Sequence, residues 1–208
     1  MKTGVISCGG SNVTSMMNAL NYVGVDPVLV TRSGEQYDFL IMPGVGAFDS
    51  GIERLHASGL FYEIQEHAAR GKPFLGICLG MQMLFEGSKE GTSRGLSVIE
   101  GRMELLGDGT SQKPRLSPNI GYNYVSFTED DSEQPFNGES DGFYYFLHSY
   151  ALMQPPPNIE LSGLTTFNDV PFCPLFVSNN VCGIQFHPER SGGRGLRLLS
   201  QITERLSK

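Results

Sequence analysis

Short apolar runs alternating with helix-period stretches fill the first half of the chain, and this pattern restricts the fold more than any other feature. Val5-Ile6, Val28-Leu29-Val30, Phe39-Leu40-Ile41-Met42 and Pro73-Phe74-Leu75-Gly76-Ile77 are short and continuously apolar, as strands buried on both faces are. Between them lie an amphipathic stretch from Val13 to Tyr22, carrying Met16, Met17, Ala19 and Leu20, and helical segments from Phe48 to Arg70 and from Cys78 to Glu86. Strands alternating with helices predict an α/β fold with a mostly parallel sheet and helices on both faces. The second half changes character. Polar, turn-rich segments from Gly107 to Pro118 and from Thr128 to Gly142 separate strand-like runs at Asn123 to Phe127, Phe143 to Leu147, Gly163 to Phe167 and Pro174 to Val177. These predict an antiparallel extension of the sheet. Gly183 to Phe186 reads as a final strand, followed by a His-Pro-Glu turn and a helix from Gly195 to Leu206.

With 208 residues the chain is long enough for one sizeable core, so a single domain over residues 1–208 is expected. A net charge of -7 argues against nucleic acid or an anionic membrane as a principal partner, since both reward clustered Lys and Arg. The four cysteines, Cys8, Cys78, Cys173 and Cys182, form no C-x-x-C pair, which opposes a zinc knuckle or a disulfide scaffold and fits a reducing compartment. No apolar stretch reaches the roughly 18 residues of a membrane span, so a soluble, cytoplasmic protein is expected. Pro155-Pro156-Pro157 reads as a rigid loop.

The strongest local signal is Gly76-Ile77-Cys78-Leu79-Gly80, a G-x-C-x-G between an apolar strand and a helix. Small residues on both sides permit a sharp, strained strand-to-helix turn that presents a nucleophile, here a thiol. A helix N-terminus would favour its thiolate, and the first helical N–H groups would face a developing oxyanion. A thiol nucleophile needs a base. His187-Pro188-Glu189 supplies an imidazole with a carboxylate two residues on, and in an extended segment i and i+2 point the same way. His56 and His67 lie on a polar helical stretch and read as solvated. His148, beside a strand-like run, reads as a satisfied core or loop histidine.

These two segments, extended to Gly76-Ile77-Cys78-Leu79-Gly80-Met81-Gln82 and Gln185-Phe186-His187-Pro188-Glu189, resemble the signatures of the class I, or triad, glutamine amidotransferases, in the same chain order. Within that class the sequence is similar, over nearly its whole length, to glutaminase subunits of imidazole glycerol phosphate synthase. Supporting segments are Pro43 to Phe48, Gly121-Tyr122-Asn123, Tyr145 to Tyr150 and Arg190-Ser191-Gly192. The resemblance implies a flavodoxin-like sheet, a Cys78, His187 and Glu189 triad, and oxyanion stabilisation by Gly44, Val45, Gly46 and Leu79. It implies that Gln82, Ser149 and Tyr150 line the site for L-glutamine, with no metal or organic cofactor. Ammonia would pass to a (β/α)8 barrel synthase subunit that makes imidazole glycerol phosphate and an aminoimidazole carboxamide ribonucleotide. That partner would dock on a surface drawing on Asn12, Asn119, Tyr122 and Arg190.

The family usually carries Asp-Tyr-Gly-x-Gly-Asn after the first strand and Pro-His-x-Gly-Trp-Asn later. This chain has Ser7-Cys8-Gly9-Gly10-Ser11-Asn12 and Pro118-Asn119-Ile120-Gly121-Tyr122-Asn123, and it has no tryptophan. Those positions face the synthase in the family, so a paralogue supplying ammonia for amidine formation on a bacterial surface sugar stays open. So do an inactive regulatory homologue, which an intact triad opposes, and a cysteine peptidase of related fold, which Gln82 and the His-Pro-Glu sequence oppose.

Overall fold

A computed structural model describes residues 1–7, 12–107, 118–128 and 140–207. The Cys8-Gly9-Gly10-Ser11 segment and most of the two polar stretches, at 108–117 and 129–139, lie outside the described residues. The early apolar runs form β1 (Thr3–Ile6), β2 (Pro27–Val30), β3 (Phe39–Gly44) and β4 (Phe74–Cys78). The periodic stretches form α1 (Val13–Tyr22), α2 (Phe48–Ala57), α3 (Leu60–Ala69) and α4 (Leu79–Met83). Short strands β5 (Gly87–Ser88) and β6 (Arg102–Leu105) follow, then β7 (Asn119–Thr128), β8 (Gly142–His148), β9 (Tyr150–Ala151), β10 (Leu161–Phe167), β11 (Val170–Phe172), β12 (Leu175–Ser178) and β13 (Val181–Ile184). A single 3-10 turn, Pro188–Arg190, leads into α5 (Gly192–Leu206).

The main sheet has the order β2-β1-β3-β4-β13-β12-β10-β7-β8, with β11 paired to β10. Strands β2, β1, β3, β4 and β13 run parallel, and from β13 outward every pairing is antiparallel. A second sheet joins β5, β6 and β9. This is the mixed architecture that the sequence pattern predicts. Period-2 alternation sends Phe39, Ile41, Leu75 and Ile77 to one face, where Met16 and Leu20 of α1 and Leu198, Leu199 and Ile202 of α5 cover them. Leu40, Met42 and Phe74 go to the other, against Ile52, Leu55, Leu60 and Ile64 of α2 and α3. Among the described residues, no helix is long and apolar enough to cross a membrane.

Three expectations are corrected. The segment from Phe48 to Arg70 is two helices, broken where Gly59 takes φ 74° and its N–H turns back to the His56 carbonyl. The helix after Cys78 ends at Met83, not Glu86, because the 96–98 loop captures the carbonyls that a longer helix would use. Leu96 N–H donates to Met83 O at 2.8 Å and Val98 N–H to Leu84 O at 2.8 Å. His67 is buried, not solvated: it lies on the inner face of α3, its Nε2 sits 2.8 Å from the Pro73 carbonyl oxygen, and burial lowers its pKa.

The turn between β4 and α4 depends on glycine for space. A Cβ at Gly76 would lie 2.8 Å from the Gly80 carbonyl oxygen, and one at Gly80 would overlap the Met42 carbonyl oxygen of β3. Gly80→Ala is therefore expected to destabilise the fold by about 3 kcal/mol or more, through forced displacement of backbone against backbone. Urea unfolding of the variant checks this.

Candidate active site

Cys78 is the last residue of β4 and the residue before α4, at φ 53° and ψ -112°. A side-chain-bearing residue at positive φ is strained, and here the close packing of Gly76 and Gly80 on either side enforces it. The thiol is 4% exposed. It donates toward the Leu147 carbonyl oxygen at 3.7 Å, and Gln185 Nε2 donates to the sulfur at 3.8 Å. α4 is only five residues long, so individual N–H groups such as that of Leu79, rather than a long helix dipole, are what its N-terminus offers an anion.

His187 leaves the end of β13 on the neighbouring strand path and is fully buried. Its N–H donates to Tyr145 O at 2.8 Å, and Ser191 Oγ donates to its carbonyl at 2.6 Å. The ring Nδ1–H donates to Glu189 Oε1 at 2.7 Å, and both side chains are fully buried. That bond fixes the tautomer and leaves Nε2 with no hydrogen-bond partner among the described residues. Burial pulls the imidazole pKa down, but interaction with Cys78 and then with the Glu189 carboxylate outweighs it and raises the pKa above the ordinary histidine value. A thiol, an imidazole coupled to it and a carboxylate orienting that imidazole thus converge. Such a set can carry out covalent acyl transfer.

Beside Cys78 opens a cavity of about 200 Å³ lined by Gly46, Leu79, Gln82, Glu90, Pro118, Leu147, His148, Ser149 and Tyr150. Gly44 pairs with Cys78 across β3 and β4, and a Cβ on it would press on Leu79 Cβ at 3.0 Å. Val45 is half-buried, and Gly46 takes φ 123°, a backbone conformation open to glycine. Gln82 does not project freely. Its Nε2 donates to Tyr150 O at 2.9 Å and to Gln185 Oε1 at 3.2 Å, so an amide chain runs from β9 to the Cys78 sulfur.

The family model for class-I glutamine amidotransferases matches residues 4–203. The chain belongs to this family. It is 37% identical over 212 residues to the imidazole glycerol phosphate synthase subunit HisH of Aquifex aeolicus, covering 100% of this chain and 99% of the other. It is 38% identical over 206 residues to the subunit of the same name from Caldanaerobacter subterraneus subsp. tengcongensis, with 97% of each covered. A solved glutamine amidotransferase shares the fold, with a TM-score of 0.75 at 19% identity over 100% of both chains.

Two of the expected partner-facing residues of this amidotransferase point inward. Asn12 is 7% exposed, and its Nδ2 donates to Glu189 Oε1 at 2.6 Å, behind the carboxylate. Asn119 is 1% exposed; strand alternation turns it inward, where it donates to His148 Nε2 at 3.1 Å, and sends Ile120, Tyr122 and Tyr124 outward. Tyr122 and Arg190 are exposed and adjacent. The Tyr122 hydroxyl donates to Arg190 O at 3.0 Å, and the Arg190 guanidinium lies 4.4 Å from the Tyr145 ring centroid. The sequence reading gave Glu90 and Gln185 no role. Glu90 sits in the turn after β5, and its place at the cavity rim follows from tertiary structure alone.

His148 is a satisfied buried histidine. Nδ1–H donates to Tyr150 O at 2.9 Å, Nε2 accepts from Asn119, and burial lowers its pKa from 6.5 to about 4. The folded state holds it neutral, whereas the unfolded chain takes up a proton below about pH 6.5. Its contribution is complete above pH 6.5 and is lost as pH falls toward 4, a loss of about 3 kcal/mol. His148→Gln is expected to flatten the fall in urea stability between pH 7 and pH 4.5 relative to the parent.

Proposed function

We propose that this chain is the glutaminase subunit of an imidazole glycerol phosphate synthase, releasing ammonia from L-glutamine for a second subunit of the histidine pathway. The observation that carries the mechanism is the fully buried His187–Glu189 pair, coupled to Cys78 at the wall of an amino-acid-sized cavity. Cys78 sulfur, its proton passed to His187, attacks the carboxamide carbon of glutamine. The Leu79 N–H and the Gly44-Val45-Gly46 loop hold the oxyanion. The His187 imidazolium protonates the departing nitrogen, ammonia leaves, and water activated by His187 releases glutamate from the thioester. Gln82, Ser149 and Tyr150 shape the pocket, and the Glu90 carboxylate at its rim receives the α-ammonium of the substrate.

The two relatives are each one subunit of a synthase, and the partner proposed here is the (β/α)8 barrel subunit of that enzyme. Its docking face is centred on Tyr122, Tyr145 and Arg190. The face lies next to the site because β8 carries Tyr145 on it, and two residues on it carries Leu147, whose carbonyl contacts the Cys78 thiol. Tyr122 pairs with Tyr145 across β7 and β8, and their rings meet edge to face at 5.6 Å. Ammonia released there is shielded from protonation in bulk water.

Cys78→Ala is expected to abolish glutamine-dependent synthesis by the complex while synthesis from added ammonium salts persists; glutamate release at the parental rate would remove Cys78 from the mechanism. Arg190→Glu is expected to weaken association with the barrel subunit about tenfold or more, at unchanged melting temperature. Affinity measured by calorimetry checks this. Capture from the source cell of a surface-sugar enzyme in place of the histidine-pathway barrel would reassign the pathway.

A further inference from the structure

The rim of the cavity is built by two segments that hold each other. One is the N-terminus of α2, which follows directly from Gly44-Val45-Gly46-Ala47. The other is the turn from Ser88 to Ser93 that carries Glu90. Asp49, in the first turn of α2, accepts Ser93 N–H at 2.9 Å and Thr92 N–H at 3.1 Å. In return, Glu90 Oε2 accepts the Phe48 N–H at 2.9 Å, the first orphan donor of the same helix. Ser88 Oγ accepts Glu90 N–H at 3.1 Å from below, and Ser88 itself is fully buried in β5. The carboxylate of Asp49 passes directly over Gly91, where any Cβ would overlap both of its oxygens. The two backbone bonds lower the pKa of Asp49, so it stays an anion through the neutral range.

We infer that Asp49 is a positioning residue for substrate selection: clamped over Gly91, it fixes the turn that presents Glu90 to the α-ammonium of glutamine, and ties that turn to the oxyanion loop. Asp49 touches no substrate. Its effect passes through Glu90, so the inference rests on the proposal that Glu90 receives the ammonium. Glu90 is exposed at the rim, and a carboxylate on a long side chain there gains affinity for a cation only to the extent that its backbone is held. The clamp supplies that restraint from a residue about forty positions away in sequence. Gly91 is required because the restraint needs backbone and carboxylate in contact.

The test uses the full chain carrying Cys78→Ala, so that ligands bind without turnover, and calorimetry with two probes: L-glutamine, and glutaramate, the same molecule without the α-amino group. Asp49→Ala and Gly91→Ala break the clamp from opposite sides. Each is expected to reduce the preference for glutamine over glutaramate about fivefold, the scale of one ordinary hydrogen bond weakened indirectly. Glutaramate affinity and melting temperature should stay near the parent values. Adding Glu90→Gln to either variant should cost little more, because all three changes remove one interaction. Equal loss for both ligands, or an unchanged preference, would overturn the role of Asp49. If Glu90→Gln alone leaves the preference unchanged, the ammonium assignment of Glu90 falls first, and the clamp loses its purpose with it.

Discussion

Parallel backbone pairing of β3, β4 and β13 is the constraint on which the site depends. Its register sets Gly44 opposite Cys78 and Ile77 opposite Ile184, so three chain segments widely separated in sequence end at one edge of the sheet. In open parallel sheets ligands bind beyond the carboxyl ends of the strands, and here the thiol, the glycine loop and the His-Pro-Glu turn all emerge there. A register slip of one residue on β4 would turn Cys78 to the other face and leave His187 without its sulfur.

Given that edge, two local devices complete the chemistry. Glycines at 76 and 80 let β4 turn into α4 hard against β3, which forces the positive φ that exposes the Cys78 sulfur to the cavity. The buried Glu189 carboxylate then orients His187 and offsets the cost of charging it out of water. Asn12 supports that carboxylate from the position just before α1, and the Gln82–Gln185 amide chain reaches the sulfur from β9. Cys78, His187 and the supporting polar groups are therefore held by hydrogen bonds from segments far apart in the chain. Such a network holds the site in one geometry before substrate arrives.

Much of this was legible in the sequence. Val13–Tyr22 folds as the helix its periodicity predicts, and the four early apolar runs all become parallel strands, because short-range pattern and buried environment agree there. G-x-C-x-G was readable because it encodes local geometry, a turn too tight for a side chain; H-x-E was readable as an imidazole with a nearby carboxylate, although Glu189 reaches His187 from a 3-10 turn and not along the extended segment that was expected. What was not legible depended on distant partners. Nothing local distinguishes an inward Asn119 from an outward one until β7 has a register with β8. The early end of α4 is set by the 96–98 loop, and the burial of His67 by the approach of Pro73. Glu90 drew no reading from the sequence, because its contact with the Phe48 N–H and the Asp49 bonds to the turn beside it join segments far apart in the chain.

The central claim is that Cys78 and the Glu189 carboxylate together raise the pKa of the buried His187 imidazole above the ordinary histidine value. Nitrogen-15 NMR of histidine-labelled protein reads its protonation state directly. The account predicts doubly protonated ring nitrogens for His187 at pH 7 in the parent, and a shift toward the neutral ring when Cys78→Ala removes the sulfur. A neutral His187 in the parent, or a protonation state indifferent to Cys78→Ala, would contradict it.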